Sequence, residues 1–104
     1  MKGISISAEE LAEIESRSHA ASKGPWTSFI NRRDYWGGPD FIRVGTEEDD
    51  LPDMYISRDS PQPGGPAEGA SVADHDFIAH SREDVPRLIE EVRRLQRLVD
   101  LTSK

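Results

Sequence analysis

Cysteine is absent from the 104 residues, which excludes disulfides and thiolate zinc sites and fits a reducing compartment. No stretch approaches the ~20 consecutive apolar residues of a membrane span, and the opening Met1-Lys2-Gly3-Ile4-Ser5-Ile6 carries no long apolar run. The expectation is a chain that avoids membranes and works in the cytoplasm. Apolar residues are also scarce, at 35% with a mean hydropathy of -0.67, while 32% of the chain is charged. At this length about 65% of the unfolded surface can be buried. One domain over residues 1–104 with one small core is expected, and part of the length adds nothing to that core. Motifs of catalysis are missing too: there is no Gly-x-Ser-x-Gly, no Walker loop and no carboxylate pair with an identifiable cleft. No catalytic residue, metal or cofactor is assigned, and an enzyme is disfavoured.

What the chain does have is acid, and it is concentrated. The formal charge is -7, and the surplus lies in residues 34–76, where two basic side chains face eleven acidic ones; residues 1–33 and 77–104 are nearly balanced. Such a stretch disfavours nucleic acid and favours a basic partner, against the plain alternative of a solvated loop region.

Ser7-Ala8-Glu9-Glu10 has the capping-box pattern and should open a helix. Its narrow stripe, Leu11, Ile14, Ser18 and Ala21, suits packing against a sheet, and Gly24-Pro25 should end it. Trp26 to Ile30, Phe41 to Val44 and Met54 to Ser57 are rich in aromatic and β-branched residues and read as a three-stranded antiparallel meander. Asp59 to Ser71, with three prolines and three glycines, reads as a mobile loop. Val72 to Ser81 reads as a short helix offering Ala73, Phe77 and Ile78 to the core. Because Pro86 is tolerated in a first turn, a separate long helix is expected to start near Glu83 or Asp84 with the stripe Val85, Leu88, Ile89, Val92, Leu95 and Val99. Residues 99–104 are expected to fray or protrude. The predicted architecture is α+β, with both long helices on one face of the sheet.

Two segments are candidate binding elements. In Asn31-Arg32-Arg33-Asp34-Tyr35-Trp36-Gly37-Gly38, Arg32 and Arg33 offer forked donors, Tyr35 and Trp36 offer rings, and the glycines allow close approach of a ligand. With Arg43 this loop would suit a nucleotide-like anion or a protein surface; as a plain hairpin, Trp36 would cover a core edge and Arg33 would pair locally with Asp34. The acidic run Glu47, Glu48, Asp49 and Asp50 would steer a basic protein. His75, Asp76 and His80 suggest a metal-dependent hydrolase only remotely: Asp76 and His80 share a helical face, but spacing five sets the histidines on different faces and no third ligand is placed. His19, among Ser16, Ser18 and Ser22, forms no nucleophile motif. On the last helix Glu90 is spaced to pair with Arg94, and Leu95, Leu98 and Val99 would pair with a second copy of the chain to form a homodimer.

Ala21-Ser22-Lys23-Gly24-Pro25-Trp26 and Asp74-His75-Asp76-Phe77-Ile78-Ala79, the latter followed by a leucine-rich helix, resemble small bacterial and prophage proteins of the Ead/Ea22-like type. The resemblance covers both ends of the chain, about half of its length. The resemblance implies an accessory protein of a mobile element and supplies no catalytic residue or ligand. Together the residues lead to the expectation of a binding or inhibitor protein that neutralises a protein partner, immunity-like or anti-defence-like, with a binder of a nucleotide or phosphorylated signal as the alternative.

Overall fold

Ser7 opens the first helix as its sequence pattern requires: its Oγ accepts from the Glu10 amide at 3.0 Å, and the Glu10 side chain accepts from the Ser7 amide at 3.4 Å. This helix, α1, covers Ala8–Ala20 in a computed structural model that describes residues 5–103. Met1 to Ile4, most of the N-terminal run read above, and Lys104 lie outside the described residues. The helix stops at Ala20, with Ala21 already extended, before Gly24-Pro25 is reached.

The fold is α+β. Strands β1 (Trp26–Phe29) and β2 (Phe41–Val44) pair antiparallel, with Trp26 opposite Val44 and Phe29 opposite Phe41. Alternation along the strands divides the ladder. Ile42 and Val44 are buried on one face, while Phe29 stacks on Phe41 at 5.1 Å on the other. Gly45 then turns the chain at φ +74°, and a Cβ there would lie 2.7 Å from Asp49 Oδ2. The expected third strand of a meander does not form. Met54 exchanges one pair of backbone hydrogen bonds with Ile42, both 2.9 Å, and Ser57–Arg58 (β3) turns away to pair with Glu68–Gly69 (β4). The far end of the Pro/Gly stretch is therefore strand rather than loop; it closes a hairpin and leaves Ala70 buried, its amide donating to Ile56.

The two expected C-terminal helices are one. A single helix, α2, runs Val72–Thr102 straight through Pro86. Proline offers no N–H to the carbonyl of Arg82, a loss of about 3 kcal/mol in a helix interior, so tertiary burial must outweigh it. Continuity fixes the helical phase. The inward stripe is His75, Ala79, Arg82, Pro86, Ile89 and Arg93, at alternating steps of four and three. Phe77 and Leu88, expected in the core, are 76% and 63% exposed instead.

The chain divides into two units. One runs Lys23–Arg82 and contains both sheets with the first turns of α2. The other joins α1 to the second half of α2, so α1 is grouped with a helix rather than with the sheet it was expected to cover. Within it, Arg93 grips Glu15 with two hydrogen bonds of 2.6 and 2.9 Å. Arg94 pairs with Glu91, one turn back, and not with Glu90.

The phase of α2 is directly testable by unfolding midpoints. Ile89→Ala, which empties a buried site, should cost about 2–5 kcal/mol, whereas Leu88→Ala should stay within about 0.5 kcal/mol. The opposite order would contradict the single continuous helix.

Candidate functional site

The loop from Ile30 to Asp40 is built almost entirely from its own side chains. Asp34 Oδ2 accepts from the Ile30 amide at 2.8 Å, Asp40 Oδ1 from the Asn31 amide at 2.8 Å, and Asn31 Oδ1 from the Gly37 amide at 3.1 Å. Tyr35 donates its hydroxyl to the Pro39 carbonyl, and its ring packs edge-on against Phe29 and Phe41. Gly38 is required by this closeness: a Cβ there would lie 2.7 Å from the Tyr35 hydroxyl oxygen. Arg32 holds φ at +71°, with its amide donating to Tyr35 at 2.7 Å. These short side-chain bonds to backbone replace regular ladder pairing and leave the loop little freedom.

Arg33 joins this loop to α2. Its guanidinium bonds both oxygens of Asp76, at 2.8 and 3.0 Å, and meets Asp34 Oδ2 at 2.9 and 3.1 Å. The Arg33 bonds hold the Asp76 carboxyl down at about 2, helped by the nearby Ser28 hydroxyl, which is buried and has no well-formed hydrogen bond of its own. Asp34 is lowered as well, first by Arg33 and then by its bond to the Ile30 amide. The local Arg33–Asp34 pair was legible in the sequence, whereas Asp76, 43 residues away, was not.

The candidates therefore part into different roles. Trp36 does not cover a core edge; it is 72% exposed on the braced loop. Tyr35, expected beside it as an anchor, is half-buried in the aromatic cluster. Arg33 is committed to two carboxylates, and Arg43 lies over the Phe29 ring at 4.6 Å, so the proposed anion cradle keeps only Arg32 as an exposed guanidinium without such a commitment. In the acidic run, Glu47, Glu48 and Asp50 are exposed. Asp49 is spent on structure: its carboxylate accepts from Thr46 N and Oγ1 at 2.7 and 2.9 Å and from Lys23 Nζ at 2.9 Å. These contacts, Thr46 first, bring it to about 2. Topology separates the two segments, because the loop joins β1 to β2 at the Phe29/Phe41 end while the acidic turn follows β2 at the other, roughly 10 Å along the ladder.

Sequence reasoning missed a groove of about 400 Å³ in Lys23–Arg82, lined by Asn31, Gly38, Pro39, Asp40, Tyr55, Ile56, Ser57, Gly69 and His75. His75 is 1% exposed, with Nδ1 3.0 Å from the Ser71 carbonyl and Nε2 buried without a partner. His80, by contrast, is exposed. Among the described residues no three histidine or acidic side chains gather as a metal site, and no helix is long and apolar enough to cross a membrane. Leu95, Leu98 and Val99 are 47%, 45% and 62% exposed on the last turns of α2. No family model, curated protein or solved structure matches the chain.

Acid should loosen the Lys23–Arg82 unit in a defined window. Asp76 and Asp49 have folded values near 2, below the ordinary aspartate value of about 3.9. Their contributions are thus complete above about pH 4 and lost as pH falls toward 2. Urea midpoints should be flat from pH 7 to 5 and fall below 4, with a shallower fall in Asp76→Asn. An unchanged acid slope in that variant would contradict the Arg33–Asp76 bridge.

Proposed function

We propose that the protein is a non-enzymatic binding module that captures and neutralises a basic protein partner, with Trp36 as its anchor. The supporting observation is the exposure of Trp36 on a loop held by its own hydrogen bonds and the Arg33 bridge. A large exposed ring on a loose tail would lose much of its contact energy to ordering; on a fixed loop that cost is already met. Tryptophan is also the residue type most enriched among the side chains that dominate protein interfaces. Glu47, Glu48 and Asp50 stand at the other end of the ladder, within the span of one standard interface, and would speed encounter with a positive surface rather than anchor it. The accessory role on a mobile element rests on the two resembling motifs alone. Commitment of Arg33 and placement of Arg43 over Phe29 weigh against the nucleotide reading. The exposed Leu95, Leu98 and Val99 extend the proposal to self-association through α2, which sedimentation at tens of micromolar would remove if only monomer is seen.

The test is affinity capture from the source proteome with wild type and two variants. Trp36→Ala should leave the unfolding midpoint within about 0.5 kcal/mol yet weaken the captured partner about thirtyfold, as for a hot-spot residue. Neutralising Glu47, Glu48 and Asp50 together should slow association at low salt and matter little at high salt. Equal capture by all three proteins would overturn the reading.

A further inference from the structure

We propose that the groove beside the Trp36 loop receives a guanidinium, that of an arginine side chain carried by the partner. The inference deepens the protein-binding reading and rests on it for the source of the arginine. Its lining contains no lysine or arginine and one carboxylate, Asp40. Asp40 is half-buried; Oδ1 accepts from the Asn31 amide, which leaves Oδ2 free to accept from an occupant. His75 supplies the second acceptor. The Ser71 carbonyl can only accept, so Nδ1 carries a proton, and in a neutral ring Nε2 is left as a lone pair. That nitrogen is screened from bulk solvent and has no hydrogen-bond partner in the protein. His75 stands in the wall of the groove.

The chemistry of the rim narrows the occupant. Tyr55 is 63% exposed and offers a ring face, the Ser57 hydroxyl is a further acceptor, and Gly69, with open space where a Cβ would stand, lets a side chain approach backbone. An anion would meet Asp40 with no cation to balance it. A neutral donor could bond Asp40 Oδ2 but would leave its charge unbalanced. An ammonium is a compact, strongly hydrated charge, whereas a guanidinium is planar, presents donors in several directions at once and stacks on an aromatic ring. Spaced acceptors beside an exposed tyrosine therefore favour arginine over lysine. A volume of about 400 Å³ lies within the range of small-ligand sites.

The whole chain, labelled with nitrogen-15, is titrated by NMR with N-acetyl-arginine amide, N-acetyl-lysine amide and N-acetyl-citrulline amide. The arginine amide should move the Gly38, Ser57 and Gly69 amides and the His75 ring nitrogen, with a Kd on the order of 1 mM for so small a fragment. Citrulline, which keeps the shape without the charge, should bind about tenfold more weakly, with lysine between. Asp40→Asn, which retains the Oδ1 acceptor for the loop, should weaken the arginine amide by about tenfold. His75 is followed through its ring nitrogen in the native protein, so no variant that risks the helix start is required. Equal responses to the three amides, or shifts confined to Glu47–Asp50, would overturn the proposal. Absence of arginine binding alongside Trp36-dependent protein capture would remove the groove and keep the binding module; arginine binding without capture would support the groove and count against the module.

Discussion

The guanidinium of Arg33 bonds Asp34 and Asp76 together, and the order of the Trp36 loop depends on that contact. Asp34 Oδ2 also receives the Ile30 amide, so the hydrogen-bonded path runs from the end of β1 through two side chains to α2. An isolated exposed pair contributes little, but a two-pronged bond inside a network fixes direction as well as distance. Around it the loop satisfies its own backbone with Asn31, Asp34 and Asp40, and Tyr35 closes it against the Phe29–Phe41 stack. Ring exposure at Trp36 is the outcome of this bracing.

The same network divides the polar residues by role. Arg33, Asp34, Asp49 and Asp76 carry charge yet are used up in holding segments together. Glu47, Glu48 and Asp50 carry charge and hold nothing that fixes the fold, which suits them to act on an approaching molecule from a distance. A composition count treats the two groups alike. Placement on the ladder separates them and also separates the acidic turn from the aromatic loop.

Local signals in the sequence were legible where the chemistry is local. The Ser7–Glu10 capping box and the Arg33–Asp34 pair lie within three residues of their partners, and the aromatic and β-branched run Phe41–Val44 carries its own strand signal. What was hidden depends on distant segments. Met54 makes one bridge to Ile42 before the chain leaves for a second ladder, a choice set by tertiary pairing rather than by strand propensity. Pro86 suggested a helix start, yet the helix passes through it, and that changed the phase of every residue after it. The inward stripe of α2 was disguised because histidine, arginine and proline hold four of its six positions, while Phe77 and Leu88 lie on the outer face. The His75 groove was illegible for the same reason: its lining comes from four separate stretches of chain.

Trp36 can serve as a pre-formed anchor only if its loop is ordered without any partner. Backbone nitrogen-15 relaxation of the free protein measures this at Asn31 to Gly38, with the Trp36 indole as a side-chain reporter. Order parameters near the ~0.85 of rigid backbone, matching those of Phe41 to Val44, are the predicted result. Values below about 0.6 through Tyr35, Trp36 and Gly37 would contradict it, because an exposed tryptophan on a moving loop is not a pre-formed anchor.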